Sequence, residues 1–291
     1  VVARAGAIEV DGLRIGLTTD GVGTKLLVAQ ALDRYDTIGI DCIAMNVNDL
    51  VAEGLRPIGF VDYLALPEPD ESLMAEIGIG LAAGANRADV ELLGGETAII
   101  PEVVRTFDLA GSAIGVADVD AGPSGEVTPG NVLVGIPSTG IHSNGLTLAR
   151  KAIERSHEYA DPFPDEPTRS IGEVLLEPTR IYTDVVPCFD RFDVHACAHV
   201  TGGGLRNVAR MGPFRYVVDD PPAVPPIFPF VQSCGDIDDE EMYATFNMGL
   251  GFVLAVDAEE ADDVAEACGG DVIGAVEAGD GVSIDGLELA S

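Results

Sequence analysis

The chain has 291 residues, of which 49 are acidic and 16 are basic, so its formal net charge at pH 7 is −33. Such a charge excludes nucleic acid and anionic membrane surfaces as partners, because both are polyanions themselves. The hydrophobic fraction of 47% excludes a disordered chain. No apolar run approaches the ~20 residues that a membrane-spanning helix needs, so we expect no membrane partner.

The chain opens with a predicted hairpin. Residues 3–10 and 13–19 have the composition of strands, and Asp11-Gly12 between them is a favoured turn. The second strand leads into residues 18–25, TTDGVGTK, where two glycines lie close to an aspartate and a lysine. Because glycine lets the backbone approach a ligand closely, this turn is a candidate binding loop.

The loop at residues 18–25 contains the residue types of a nucleotide-phosphate site. Asp20 offers a hard anionic oxygen that suits Mg²⁺, and Lys25 offers a point charge that suits phosphate. The order D-G-x-G-T-K does not satisfy the P-loop pattern. A hairpin turn with a surface lysine is an equally good interpretation of these residues alone. The first interpretation gains weight because the chain has only two lysines, Lys25 and Lys151.

Residues 36–53 predict a largely apolar helix that ends before Gly54. Asp41 and Asn48 lie seven positions apart and so share a face, with Asp49 on its flank. Polar groups on such a helix are costly unless they have partners. Either Asn48 and Asp49 meet the metal or phosphates held by Asp20, or the polar face is a solvated stripe on a surface helix.

The rest of the first half alternates strands with one helix. We predict strands at 58–66, 91–93 and 107–116 and a helix at 69–87, with the second of these strands ending in Gly94-Gly95-Glu96-Thr97. This pattern indicates an α+β fold with a mixed or antiparallel sheet. Residues 118–130 are rich in turn formers and acid, and they mark the boundary between domains 1–121 and 122–291.

The second half is again α+β and contains two polar loops. The first loop, residues 138–145, follows a strand at 132–136, and the second, Thr201-Gly202-Gly203-Gly204, follows a strand at 194–200. Predicted helices cover residues 146–155, 171–176, 179–189, 205–211, 239–245 and 259–268, and further strands cover 216–218, 249–256, 272–276 and a terminal hairpin at 282–289. Residues 161–167 and 219–229 are predicted connectors.

The cysteines indicate a reducing compartment. Cys42, Cys188, Cys197, Cys234 and Cys268 are odd in number and far apart, which favours free thiols and a cytoplasmic location. Strand alternation would place His195, Cys197 and His199 on one face. Alternate positions on one strand rarely converge on one ion, so packing is a better interpretation of these three residues than a zinc site.

Several separated blocks together resemble one family. The chain is similar to the phosphoribosylformylglycinamidine cyclo-ligases, or AIR synthetases. The blocks occur in the family's order and run nearly from end to end: TDGVGTK (19–25), DTIGIDCIAMNVNDLV (36–51), LLGGETA (92–98), IHSNG (141–145), EPTRIY (177–182), HACAHVTGGG (195–204) and EMYATFNMGLG (241–251).

The resemblance implies a fold and a chemistry. Two α/β domains would form an ATP site in the cleft between them, and the N-terminal sheet would join that of a second copy in a homodimer. ATP would phosphorylate the formyl oxygen of formylglycinamidine ribonucleotide before the ring closes. Phosphoryl transfer depends mainly on positioning and charge neutralisation.

The resemblance also gives roles to particular residues. Asp20 and Asp49 would hold Mg²⁺, and His142, Asp20 and Lys25 would be catalytic. The remaining expected ligands of ATP are Gly21, Gly23, Thr24, Asn48 and Glu96. The expected substrate contacts are His142, Ser143, Asn144, His199, Thr201, Gly202, Gly203 and Gly204. The glycine turn at residues 201–204 precedes a predicted helix, so its backbone N–H groups suit the ribose phosphate.

Departures from the family leave two alternatives. The family's glycine-rich segment ahead of the first strand, with a lysine near the nucleotide, is not part of this sequence, and Ile141 stands where many relatives have proline. One alternative is another ATP-using enzyme of the same superfamily, such as selenophosphate synthetase, thiamine monophosphate kinase, formylglycinamidine ribonucleotide synthetase or the hydrogenase maturation protein. The other is a non-catalytic nucleotide-binding protein.

The acidic residues are spread along the chain, which we interpret as adaptation to a salt-rich cytoplasm; a role in metal or partner binding is less favoured. Self-repulsion should strain the fold at low salt, whereas at ~1 M salt the Debye length falls to ~3 Å.

We therefore expect the thermal unfolding midpoint to fall on dilution from molar KCl. Circular dichroism melts across a salt series measure this, and a midpoint independent of salt would contradict the interpretation.

Overall fold

The computed structural model describes residues 6–289, and these divide into two compact units. Over its described residues, the first unit comprises Val1–Val51, Leu55–Val119 and Ser156–Thr183, and the second comprises Ala52–Gly54, Asp120–Arg155 and Asp184–Ser291. The division predicted from the sequence places residues 156–183 with the second half, whereas here they are part of the first unit. Within the described range, every helix is too short or too polar to cross a membrane.

The helices and strands are numbered in chain order. The α-helices of the described range are α1 (Lys25–Leu32), α2 (Ile38–Ala52), α3 (Glu71–Ala88), α4 (Leu146–Ile153), α5 (Ile171–Leu175), α6 (Ile227–Gly235), α7 (Asp239–Thr245) and α8 (Ala261–Cys268). The strands are β1 (Gly6–Val10), β2 (Leu13–Gly21), β3 (Arg56–Leu66), β4 (Glu91–Ile99), β5 (Asp108–Asp118), β6 (Val132–Pro137), β7 (Pro162–Phe163), β8 (Glu166–Ser170), β9 (Val194–His199), β10 (Arg215–Val218), β11 (Leu250–Val256), β12 (Asp271–Glu277), β13 (Gly281–Ile284) and β14 (Leu287–Leu289). Two 3-10 helices cover Thr183–Cys188 and Gly204–Met211.

The first unit is built on a five-stranded sheet in the order β1-β2-β5-β3-β4. Only β3 and β4 run parallel within this sheet, so the predicted mixed sheet is confirmed. The predicted hairpin between β1 and β2 is also confirmed. Both residues of its turn, Asp11 and Gly12, have positive φ, of 50° and 84°, as a turn that matches strand twist requires.

One face of this sheet packs against α2. The hydroxyl of Thr18 donates to the carbonyl oxygen of Asn46 at 3.1 Å. A side chain at Gly16 would collide with Leu55 and contact Leu50 of α2. The row Gly16, Thr18 and Asp20 therefore faces the helix, because alternate strand residues point to the same side. The residues of the opposite row, which includes Leu17, are exposed or half-buried.

Helices α2 and α3 cross at glycines. A Cβ atom on Gly39 would lie 2.6 Å from the carbonyl carbon of Gly80 and 2.7 Å from the carbonyl oxygen of Ile77. A Cβ atom on Gly80 would lie 2.7 Å from the carbonyl oxygen of Asp36. The two helix backbones are in direct contact here, and this contact fixes the position of α2 against α3.

The second unit is built on a seven-stranded sheet in the order β14-β13-β10-β12-β6-β11-β9. Strand β11, LGFVLAV, is buried along its whole length. Such a continuous apolar run is typical of a strand that is covered on both faces. Helix α8 packs against β6 and β12, and α4 packs against α6.

The secondary structure differs from the sequence-based predictions at several positions. Strand β4 continues through Gly94-Gly95 to Ile99, because these residues stay in the parallel ladder with β3. Residues 179–189 were expected to be helical, but only the 3-10 turn Thr183–Cys188, with Pro187 inside it, forms there. Helices α1 and α6 were not predicted. Residues 3–5 of the first predicted strand lie outside the described residues.

We expect Gly39→Ala to destabilise the protein by about 1–3 kcal/mol, because its methyl group would overpack the crossing of α2 and α3. Gly78→Ala in α3 is the matched control, since nothing lies within 4 Å of its Cβ position. Helix propensity predicts that the control stabilises the protein by about 0.5–1 kcal/mol. Chemical denaturation in molar salt measures both, and equal effects would contradict a tight crossing.

Candidate functional site

A row of two aspartates crosses the sheet of the first unit. Asp20 on β2 pairs with Gly111 on β5, and Gly111 pairs in turn with Asp62 on β3. Residues in lateral register point to the same face, so both carboxylates lie on the side of α2. Two strand spacings place their Cα atoms about 10 Å apart.

A glycine lies on each side of Asp62 in this row. Gly111 on β5 lies between the two aspartates, and Gly95 on β4 is the lateral neighbour of Asp62 on its other side. A side chain at Gly95 would collide with the Asp62 carboxyl group, whose Cγ would be 2.8 Å away. Sequence reasoning missed Asp62. The available signal was a charged residue in the middle of an otherwise apolar strand.

The field around the row is strongly negative. Burial raises the pKa of the Cys42 thiol on α2 far above its ordinary value, and the carboxylates of Asp62, Asp41, Asp20 and Asp108 raise it further. Burial also raises the pKa of Asp62 itself. A cation near Asp62 would offset this cost, because an opposite charge favours the ionised carboxylate.

The loop after Asp20 leads directly into α1. Gly23 has φ +71°, a conformation that glycine adopts without strain. Thr24 is the N-cap residue of α1, and its side chain does not cap the helix. The amide of Gly21 donates to the Asp20 carboxylate at 2.7 Å. The loop therefore presents a glycine turn, a carboxylate and a helix N-terminus within a few residues.

Lys25, the first residue of α1, is completely buried. Its ammonium donates to Asp41 Oδ1 at 2.9 Å and to the carbonyl oxygen of Glu177 at 2.6 Å. Asp41 Oδ1 also accepts from the amide and the hydroxyl of Thr179, at 2.8 and 2.6 Å. The surface-lysine interpretation is wrong. A contact of Lys25 with ATP phosphates stays a prediction.

Asn48 binds the segment that contains Glu177 and Thr179, at two residues further along the chain. Its Nδ2 donates to the carbonyl oxygen of Arg180 at 2.8 Å, and its Oδ1 accepts from the amide of Tyr182 at 2.9 Å. Asp41 and Asn48 do share one face of α2, as predicted, but both are fully buried, so the solvated-stripe interpretation is wrong. Together they fix the backbone of residues 177–182 and explain why no helix forms there. A contact of Asn48 with ATP stays a prediction.

The remaining predicted ATP ligands of the first unit lie in different places. Asp49 is half-buried on α2, three residues after Asn46, whose Nδ2 donates to the Asp20 carbonyl oxygen at 3.3 Å. Glu96 pairs with Tyr63, one residue beyond the pair of Asp62 and Gly95. Strand alternation therefore turns Glu96 to the opposite face of the sheet. The structure does not bring Glu96 together with Asp20.

The two polar loops of the second unit lie side by side. The Oδ1 atom of Asn144 lies 3.1 Å from the position of a Cβ atom on Gly202. Ser143 is half-buried in the same loop. His199, at the end of β9, is buried with its ring 6.3 Å from that of Phe252. The structure thus brings the segments at 141–145 and 199–204 together within one unit.

His142 has an unusual backbone for a non-glycine residue. Its φ is +65°, and its side chain is buried. Its Nε2 atom accepts a hydrogen bond from the amide of Thr139 at 3.2 Å. This contact requires an unprotonated Nε2, so a neutral imidazole carries its proton on Nδ1.

The glycine turn at 201–204 is organised by Asn207. The Oδ1 atom of Asn207 accepts from the amide and the hydroxyl of Thr201, both at 3.0 Å, and its Nδ2 donates to the Gly202 carbonyl oxygen at 3.2 Å. Gly203 and Gly204 have φ of +98° and +56°. A Cβ atom on Gly204 would lie 2.8 Å from the Phe246 carbonyl oxygen. Sequence reasoning gave no role to Asn207.

His195 has protein partners. Its Nε2 atom lies 2.9 Å from Asp257 Oδ1, and its Nδ1 atom lies 3.2 Å from the hydroxyl of Ser124. Within the described chain, the His, Cys, Asp and Glu group with metal-ligand spacing is Asp193, His195 and Asp257. It includes neither Cys197 nor His199, so the structure does not support a zinc site on this strand face.

Comparisons with known proteins identify the family and the relatives to which the chain is similar. Residues 3–117 match the family described as AIR synthase related protein, N-terminal domain, and residues 128–286 match its C-terminal domain. The phosphoribosylformylglycinamidine cyclo-ligase of Methanosarcina acetivorans is 47% identical over 94% of this chain and 82% of its own length. That of Methanococcoides burtonii is 45% identical over 98% of this chain and 86% of its own length.

Solved structures share the fold at low identity. Thiamine monophosphate kinase from Aquifex aeolicus superimposes with a TM-score of 0.69 at 19% identity, covering 99% of this chain and 93% of that one. The hydrogenase maturation protein HypE in complex with ATP gives a TM-score of 0.65 at 17% identity, covering 93% and 78%. The close relatives and both domain matches show that the chain belongs to the phosphoribosylformylglycinamidine cyclo-ligase, or AIR synthetase, family.

Proposed function

We propose that this protein uses ATP to cyclise formylglycinamidine ribonucleotide to aminoimidazole ribonucleotide in purine biosynthesis, with release of ADP and phosphate. Identity of 45–47% over nearly the whole chain to relatives named for this activity carries the proposal. ATP transfers its terminal phosphoryl group to the formyl oxygen. The nitrogen that closes the ring then attacks the formyl carbon and loses its proton, and the bond from carbon to the phosphorylated oxygen breaks.

Three carboxylates are the proposed ligands of Mg²⁺. Asp20 and Asp49 follow from the sequence, and Asp62 follows from the row that it forms with Asp20. Carboxylate oxygens are the donors that Mg²⁺ prefers, usually through one or two carboxylates together with phosphate oxygens. When bound, the ion neutralises charge on the transferring phosphoryl group. Burial raises the pKa of Asp62, although a backbone hydrogen bond partly offsets the shift, and a cation beside this carboxyl group would favour its ionised form.

The loop between the row and α1 is the proposed phosphate contact. Backbone N–H groups at Gly23 and Thr24 lie next to the N-terminus of α1, where the helix dipole favours anions, whereas the Gly21 N–H donates to the Asp20 carboxylate. Lys25 adds positive charge at the first helical position. Its buried bonds to Asp41 and Glu177 give it a second proposed role, which is to hold the loop and the segment 177–182 in register.

The substrate is the proposed ligand of the paired loops in the second unit. His142, Ser143 and Asn144 would contact the reacting centre. Thr201, Gly202, Gly203 and Gly204, with His199 beside them, would bind the ribose phosphate through backbone N–H groups. The contact between Asn144 and Gly202 supports a common site for both ends of one ligand.

The test of this proposal is direct. We expect the purified protein, incubated in molar KCl with ATP, Mg²⁺ and formylglycinamidine ribonucleotide, to form aminoimidazole ribonucleotide and ADP in equal amounts. Colorimetric detection of the aminoimidazole and a coupled ADP assay measure both. Consumption of ATP on thiamine monophosphate or selenide, with no aminoimidazole, would favour the alternative enzymes and contradict the proposal.

Charge-removing variants locate the chemistry within the first unit. Asp20→Asn and Asp62→Asn should each lower kcat/KM for ATP by at least about 100-fold, because charge neutralisation is the main catalytic term in phosphoryl transfer. Asp89→Asn removes the same charge from an exposed left-handed position that asparagine also accepts. It should stay within about 2-fold of wild type. Equal losses in all three variants would point to folding instead.

A homodimer is proposed through the sheet face that points away from α2, which we name the outer face. Its exposed apolar residues include Ile8, Leu17, Val61, Tyr63 and Leu93. They belong to β1, β2, β3 and β4, four of the five strands of the sheet, and they lie on one face of it. Such a patch on a soluble protein marks an interaction surface. The resemblance to a family that joins these sheets supports a second copy as the occupant.

Leu17→Asp tests the dimer. Leu17 is 62% exposed on the outer face, and the matched control Ile79→Asp alters a residue that is 61% exposed on α3. We expect light scattering in molar salt to give a dimer for wild type and control and a monomer for Leu17→Asp, because a charge in the contact is desolvated. A monomeric wild type, or a dimer unaffected by Leu17→Asp, would overturn the assignment.

The cellular setting is proposed from charge and cysteines. An enzyme of net charge −33 with five free cysteines suits a reducing, salt-rich cytoplasm. In such a medium the surface charges are screened within a few ångströms, so the acidic shell keeps the protein soluble without straining its fold.

A further inference from the structure

Asn247 uses its full hydrogen-bonding capacity inside the second unit. Its Oδ1 atom accepts from the hydroxyl of Ser138 at 2.8 Å and from the amide of Gly249 at 2.9 Å. Its Nδ2 atom donates to the carbonyl oxygens of Gly140 at 2.9 Å and Ile141 at 3.4 Å. An asparagine side chain offers two lone pairs and two N–H bonds, so nothing is left over, and the residue is only 3% exposed.

These contacts allow only one orientation of the amide. Exchanging its oxygen and nitrogen would turn the NH₂ group towards the Gly249 N–H and the oxygen towards the Gly140 carbonyl. Aspartate has the same shape but offers no donor when ionised. The position therefore requires asparagine specifically.

The segment that Asn247 holds is the one that carries His142. Ser138, Gly140 and Ile141 are three of the four residues that precede it. A bulky residue with positive φ persists only where its surroundings over-determine it, at a cost of about 1–3 kcal/mol. The φ of +65° at His142 is such a case. The bonds from Asn247 to the carbonyl groups just before His142 supply the required constraint.

We propose that Asn247 is a positioning residue, which keeps residues 138–142 in the conformation that directs His142. In this conformation Nε2 of His142 accepts a hydrogen bond from the Thr139 amide. The neutral imidazole therefore carries its proton on Nδ1, where it acts as a hydrogen-bond donor and not as a base. Asn247 touches no reacting atom in this role. The kinetic part of the inference rests on the proposed function, whereas the orientation of His142 can be measured without turnover.

Asn247→Asp is the first test. It removes both donors with almost no change of shape, and we expect kcat to fall about 100-fold, because a misplacement of about 1 Å has that effect. The KM for ATP should stay within about 3-fold. Asn131→Asp is the matched control, since Asn131 is also a buried asparagine of this unit and bonds Thr128 and Asp257. It should lose stability but keep its kcat.

Spectroscopy of His142 gives the readout that a purely structural role would not move. The chain has four histidines, so ¹⁵N-histidine labelling with His142→Gln for assignment resolves the His142 signals. Wild type and Asn131→Asp should show the Nδ1–H tautomer of His142. In Asn247→Asp that pattern should give way to the averaged signals of a mobile imidazole. An unchanged tautomer in a folded Asn247→Asp variant would overturn the positioning role.

Two further variants keep the inference falsifiable. If Asn247→Asp does not fold, Ser138→Ala removes one of the four bonds and should lower kcat about 3- to 10-fold, the equivalent of one neutral hydrogen bond. In a His142→Ala background, Asn247→Asp should cost less than about 3-fold more, since residues acting as a unit are non-additive. Full additivity would overturn the inference. A wild type without cyclisation activity would instead sink the proposed function.

Discussion

The buried ion pair between Lys25 and Asp41 is the constraint on which the first unit's candidate site depends. Both side chains are completely excluded from solvent. Removing two charges from water costs several kcal/mol per ion, and the loss is recovered only when further hydrogen bonds complete the pair. Here the Glu177 carbonyl oxygen accepts a hydrogen bond from the Lys25 ammonium, and the amide and hydroxyl of Thr179 both donate to Oδ1 of Asp41. A single cluster therefore joins the start of α1, the first turn of α2 and the segment at 177–182.

That cluster sets the geometry of the loop beside it. Since Lys25 is the first residue of α1, fixing its side chain fixes where the helix begins and where the preceding glycine turn must lie. Strand β2 ends at Gly21, and Asp20 is held in the row with Asp62 by the register with β5. The carboxylate row and the helix N-terminus thus keep a defined separation, which a site for a metal ion and a polyphosphate needs.

Much of the fold, and part of the candidate site, could be predicted from the sequence. Alternation and turn residues gave the hairpin at Asp11-Gly12 and most strands, because these signals are local. Asp62 was missed because its meaning depends on the register of three strands, which sets it beside Gly111 and level with Asp20. The face of Glu96 was missed for the same reason: β4 continues where glycines indicated a loop. The predicted helix at 179–189 does not form, because side chains of α2, which are distant in sequence, bond the backbone groups that a helix would have used.

Neutral amides, and not ion pairs, hold most of the loops of the candidate site. The buried asparagines are Asn46, Asn48, Asn131, Asn207 and Asn247. Most of them form hydrogen bonds to a segment that lacks regular structure. Asn46 instead binds the end of strand β2, next to such a segment. An amide adds no charge to a chain that already carries −33, and its short-range hydrogen bonds depend little on screening by salt. A carboxylate at the position of one of these amides would add electrostatic repulsion and could not donate hydrogen bonds. A buried lysine there would need an acidic partner to balance its charge. The one buried lysine of the described chain has such a partner in Asp41, at the point where α1 begins.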